Sequence, residues 1–145
     1  MLFGKKNEPL IFKWLQAGTG QRINSELSGE MKRQLQMISL EEEDLEILSR
    51  LKPIVSREIE TIVNKFYQNL AIESSLEETI NRHSSVERLK KTLMIHIQEM
   101  FTGRIEEEFL EKRKRIAHIH LRIGLIPKWY ICAFLEFAFI IYHPF

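Results

Sequence analysis

The stretch "RKRIAHIHLRIGLIPKWY", residues 113–130, sets two histidines two positions apart in a run that is otherwise basic and aliphatic. On a helix the two part company. Ile116, His120 and Ile123 stand at i, i+4 and i+7, so His120 joins an apolar face beside Ile119. His118 lies about 200° around the wheel from Ile116. Its neighbours there are Glu111, Lys114, Arg115 and Arg122, so it reads as a solvated surface residue. His120 points inward. Gly124 is suited to end this helix and Pro127 to open the next.

An inward imidazole has three fates: a hydrogen-bonded core histidine, a member of a polar network, or a metal ligand. Spacing alone favours the first two. The chain contains no HExxH, no second histidine one turn from His120 and no inward carboxylate cluster. A zinc or di-iron site built from side chains is therefore poorly supported. What remains of the metal reading is one axial ligand to an iron whose other ligands come from a macrocycle.

Working outward, the chain reads as five or six helices with short joints. Ser39 and Glu42 have capping-box spacing, with Asp44 adding charge where the dipole favours it, so a helix is expected from there to Leu51. Pro53 is expected to begin a second helix or to kink the first. Over 53–70 the stripe Val55, Ile59, Ile62, Phe66 and Leu70 is helical, with Tyr67 at its edge. "AIESSLEETINRH", residues 71–83, is a polar connector with room for a short helix. Ser84 and Glu87 form a second capping box ahead of a helix over 85–101. That helix aligns Val86, Leu89, Leu93, Ile97 and Met100, with Thr92 and His96 projecting near Leu89. Gly103 stops it, and a further helix is expected over 105–123.

Composition narrows the class. The 145 residues are 44% hydrophobic, enough apolar mass for one core, and carry a net charge of +1, which argues for neither nucleic acid nor an anionic membrane as partner. The single cysteine, Cys132, excludes a disulfide framework and covalent haem attachment, and reads as a small buried hydrophobe. Lysines and a glutamate precede any apolar run, so no signal peptide is visible and a cytoplasmic protein is expected. The segment from Trp129 to Phe145 is apolar but short and carries Glu136; it reads as a buried helix, not a membrane span.

"RKRIAHIHLRIGLIPKWY", "HSSVERLKKTL", "IQEMFTG" and "NKFYQNL" together resemble the globin-coupled sensors, in the same order, and especially the sensor domains of the haem-based aerotactic transducers of bacilli. The similarity covers residues 22–134, with 1–21 as an N-terminal extension and 22–145 as the sensor globin domain. The resemblance implies an all-α globin fold holding non-covalent haem b. It implies His120, the histidine before "LRIGL", as the proximal iron ligand. The second ring nitrogen of His120 is then expected to donate to a backbone carbonyl one turn back. It further implies Tyr67 as the hydrogen-bond donor to bound gas and Leu89 and Thr92 as the distal helix's contribution, while His83, by its place at the helix entrance, is a competing candidate for contact with a haem edge or propionate. His96 reads as a packing or edge residue, and Trp129 and Tyr130 as aromatic core. The gas would be oxygen or another diatomic. The role implied is signal transduction in aerotaxis, without enzymatic activity, through a homodimer and an attached signalling domain.

After Ala133 and Phe134 the similarity fades. "LEFAFIIYHPF" is not the family's continuation, and the domain is expected to be truncated before its last helix. An apolar face carrying Phe134, Leu135, Phe137, Phe139, Ile140, Ile141 and Tyr142 is then expected to lie uncovered. Two other readings stand beside the haem sensor: a haem-free regulatory interaction module, and a non-functional fragment of a sensor. An enzyme ranks last, because no distal acid–base pair or flavin-binding extension is visible.

Overall fold

The computed structural model describes residues 22–142. The expected extension over 1–21 lies outside them. Among the described residues six helices follow one another: α1 (Gly29–Met37), α2 (Glu42–Leu70), α3 (Ser74–His83), α4 (Val86–Met100), α5 (Glu107–Arg122) and α6 (Pro127–Tyr142). A single parallel bridge pairs Ile23 with Ile105.

The N-terminal part departs from the sequence reading. Ser28 caps α1, its hydroxyl accepting from the Met31 N–H at 3.2 Å, a helix that the reading had not placed. Ser39 does not cap α2. It sits at φ 53°, a left-handed turn residue, and its N–H goes back to the Gln36 carbonyl at 3.0 Å. The cap forms two residues later, where the Asp44 carboxylate accepts the Glu41 N–H at 2.9 Å. Glu42 is drawn away from capping by another task. Its carboxylate accepts the N–H groups of Arg22 at 2.6 Å and Ile23 at 3.0 Å, tying the chain's entry to the start of α2.

α2 runs through Pro53 as one helix of 29 residues. The missing N–H and the ring's clash cost about 3 kcal/mol. Pro53 itself is exposed, while Leu45 before it and Val55, Ile59, Ile62 and Val63 after it are buried. Packing on both sides outweighs the local defect, so of the two outcomes expected at Pro53, a new helix or a kink, the new helix does not form.

The core lies where α2 meets α4 and α6. Val55, Ile59, Ile62 and Val63 pack with Ile97, Phe101 and Ile140, and Phe66 meets the Phe137 ring edge-on with centroids 6.1 Å apart. The Asn69 amide donates to the Glu136 carboxylate, which gives the one acid of the apolar α6 a partner on α2. A second cluster, Leu27, Leu35, Leu45 and Ile105, holds α1 to the start of α2 and to the segment before α5.

Ser85, not Ser84, caps α4, accepting from Arg88 N–H at 3.3 Å. Ser84 is occupied with ending α3, giving its N–H to the Ile80 carbonyl at 2.7 Å. Gly103 and Gly124 sit at φ 63° and 71° and end α4 and α5 as expected.

α6 is not the buried helix that its composition suggests. Ile140 is its buried member, whereas Tyr130, Ile131, Phe134, Leu135 and Phe139 are exposed. The anticipated uncovered face is thus present at Phe134, Leu135 and Phe139, while Phe137 and Ile141 turn to the core; the Tyr142 side chain lies outside the described residues. Cys132 is exposed on the same helix, not buried. No helix among the described residues is long and apolar enough to cross a membrane.

Candidate functional site

α4 and α5 meet in a polar seam that no local motif announces. Glu99, near the end of α4, accepts from Lys112 Nζ through one oxygen and from Arg113 Nη1 through the other, both at 2.9 Å. Arg113 Nη2 donates to the His96 carbonyl at 3.3 Å, and the guanidinium lies 3.8 Å above the Phe109 ring. Burial works against the Glu99 charge, but the hydrogen bonds from Lys112 and Arg113 outweigh it and hold its carboxyl below the usual range. The residues concerned are 13 and 14 apart and on different helices, so periodicity could not have paired them.

His120 emerges two turns beyond Arg113 on α5. It is half-buried, while His118 is exposed, as the helical wheel required. Ile116 and Ile123 are half-buried beside it, but Ile119 is 52% exposed and does not belong to that apolar face. The Tyr130 ring of α6 stands 5.5 Å from the imidazole, tilted by 60°. Burial pulls the His120 pKa down, so the ring is neutral at pH 7 and keeps a lone pair available.

The expected hydrogen bond behind His120 is not made. Its Nδ1 is shielded from solvent without a partner. The carbonyl one turn back, that of Ile116, belongs to the ladder of α5. His96 is in the same condition, with a buried, unpartnered Nδ1. It is more than a packing residue. Its pKa is lowered first by burial, then by the Arg113 charge and more weakly by His120, against an opposing pull from Glu99. The two imidazoles and the guanidinium therefore share one field across the seam.

Tyr67 is the other half-buried polar group of interest. Burial pushes its phenol up to about 12, so it is a protonated donor at any physiological pH. It stands edge-on to Phe66, centroids 5.3 Å apart, and lines a groove with Asn64, Gln68, Ala71, Val86 and Lys90. The structure thus brings Tyr67 to the first turns of α4, and His120 to its last turns. Leu89 is half-buried on α4. Thr92 is exposed and donates to the Arg88 carbonyl of its own helix at 3.1 Å. His83 is exposed at the end of α3. Trp129 is half-buried and Tyr130 exposed, so Tyr130 is not aromatic core.

Among the described residues no three histidine, cysteine, aspartate or glutamate side chains gather as a metal site. His120 offers instead one neutral, half-buried imidazole that makes no hydrogen bond through its buried nitrogen. That donor set fits an axial ligand to a macrocycle-held iron.

The Protoglobin family model matches residues 27–140. A curated relative, the "Heme-based aerotactic transducer HemAT" of Halobacterium salinarum, is 25% identical over 109 residues, 74% of this chain and 22% of that protein. The chain thus matches about a fifth of the length of that relative. The chain belongs to the protoglobin family, and its fold is the all-α, globin-like one.

Proposed function

We propose that this protoglobin domain binds haem b non-covalently, with His120 as the iron ligand, and senses oxygen or another diatomic gas for an aerotactic signalling pathway. The observation that carries the reading is the state of His120: inward on α5, neutral, and without a hydrogen-bond partner at its buried nitrogen. When bound, haem supplies the iron at which a diatomic gas is captured.

The chain's own residues do the rest. His120 offers Nε2 as the donor while Nδ1 keeps the proton. Tyr67 holds its proton because burial raises its pKa to about 12. A hydroxyl donated to a partly anionic ligand oxygen stabilises it by about 1.5–3 kcal/mol, roughly tenfold to a hundredfold in affinity. Carbon monoxide develops less charge, so this donor favours oxygen. Leu89 and Thr92 of α4 wall the gas side, Thr92 with its hydroxyl donating to the Arg88 carbonyl. His83 closes an edge from the end of α3. A change at His120 moves α5, and a signalling domain or partner reads that movement, in a cytoplasmic homodimer.

The test is a haem titration of the purified chain beside His120→Ala, followed by the visible spectrum. A Soret band saturating at one haem per chain, with the ferrous and oxygenated spectra lost in the variant, supports the reading. Tyr67→Phe then speeds oxygen release by ten- to a hundredfold, the free-energy range above expressed as a rate. A soluble, helical parent that takes up no haem would point to a haem-free interaction module instead.

A further inference from the structure

α5 carries the proposed iron ligand, yet none of its residues is buried. Its apolar anchor on the core clusters, among the described residues, is Leu110, ten positions before His120, so something else must fix where His120 stands. Among the described residues, every hydrogen bond from an α5 side chain to another helix ends on Glu99 or on the His96 carbonyl. Arg113 is the centre of that attachment. Its guanidinium engages the Glu99 carboxylate, the His96 carbonyl and the Phe109 face at once, a fork geometry that lysine lacks. Residue 113 precedes His120 by seven positions, so the two leave the helix on nearly the same side, two turns apart.

The usual device for orienting a ligating imidazole is a hydrogen bond from its second nitrogen. His120 lacks it. Its orientation therefore depends on where α5 lies and on the Tyr130 ring. We propose that Arg113, clamped by Glu99 and the His96 carbonyl, is the positioning residue for His120. It acts as the fulcrum that sets how firmly the imidazole is held toward the iron and about which the far end of α5 tilts. The proposal rests on His120 being the haem ligand.

Arg113→Met removes the fork, Glu99→Gln removes its main acceptor charge, and Arg113→Lys keeps the charge without the fork. In the ferrous, gas-free protein the iron–histidine stretching band, read by resonance Raman, is expected to shift in Arg113→Met and Glu99→Gln. The double variant should shift no further than either single one, and Arg113→Lys should fall between parent and Arg113→Met. Leu110→Ala is the control, since Leu110 packs on the second core cluster and lies outside the clamp. An unchanged band in Arg113→Met, or an equal shift in Leu110→Ala, would overturn the proposal. A second readout needs no haem. Amide exchange over 118–122 should accelerate in haem-free Arg113→Met while residues 59–63 and 97–101 keep their protection. Uniform acceleration, or none, counts against a clamp. Were the parent to take up no haem, the haem reading would fall, and the exchange measurement would still decide whether Arg113 holds α5.

Discussion

Gly103 and Gly124 offer a matched pair of substitutions whose difference can be worked out in advance. Both have left-handed backbones, at φ 63° and 71°. An alanine in that conformation costs about 1–2 kcal/mol. At Gly124 a Cβ meets nothing within 4 Å, so that backbone cost is the whole effect. At Gly103 the Cβ would lie 1.9 Å from the Leu45 carbonyl oxygen and 3.1 Å from the Ser49 Cβ. Ordinary carbon–oxygen contact is about 3.3 Å or more. The obstacle is backbone inside α2, so relief requires the joint between α4 and α5 to retreat from that helix. Overpacking of this kind adds about 3 kcal/mol. For a chain of this size about 4 °C of melting temperature accompanies each kcal/mol. Gly124→Ala should therefore melt about 4–8 °C lower and Gly103→Ala about 15–20 °C lower. Thermal unfolding followed by circular dichroism, checked by urea midpoints with unchanged slopes, measures both. Equal losses at the two positions would refute the close approach of α2 to the joint.

Ile97 is completely buried between α2 and α6, so Ile97→Ala should cost about 3–4 kcal/mol in urea unfolding, whereas Ile95→Ala, 59% exposed on the same helix, should cost well under 1 kcal/mol. Tyr67, raised to about 12, should appear as the last component of an alkaline tyrosinate titration at 295 nm and vanish in Tyr67→Phe. Because its folded pKa lies above the unfolded value of 10, Tyr67 adds stability that is complete below pH 10 and is lost as pH climbs to 12; a parent whose alkaline unfolding matches Tyr67→Phe would contradict this. Glu42→Gln weakens two charge-assisted bonds to the entering chain at Arg22 and Ile23, and should speed limited proteolysis around residues 22–27 while lowering global stability by about 1 kcal/mol.

What the sequence disclosed was set by local periodicity. The separation of His118 from His120 needed only helix geometry. The stripe from Val55 to Ile62 became the core because the same spacing that marks an amphipathic helix also aims it. The failures share a different cause. Ser39 looks like a cap until Glu42 is known to hold Arg22 and Ile23, a contact across 20 and 19 residues. Pro53 looks like a boundary until the burial on either side of it is known. Ile119 follows the apolar pattern of α5 yet meets solvent, because beyond Leu110 the side-chain hydrogen bonds of α5 to other helices are charged ones, to α4. The clamp on Glu99 was illegible for that reason: a charged residue on a helix reads as a solvated face unless its partner on another helix is known.

These failures converge on how the fold divides its labour. Stability resides in the apolar meeting of α2 with α4 and α6, where no polar residue is buried. Among the described residues the unpartnered, solvent-shielded side-chain polar atoms lie in one place, at His96, Arg113 and His120 along the seam between α4 and α5. Each such atom costs about 1–3 kcal/mol when left unsatisfied, a cost that falls on the seam and not on the apolar core. An element held by a few ion pairs and no buried face opens at lower free energy than the core does. The proposed sensing role would require this of a helix that responds to an event at one of its own side chains. Were α5 anchored like α2, by four or five buried aliphatic residues, a displacement at His120 would have to deform the core. Held at Arg113, as proposed, it would have only to pivot.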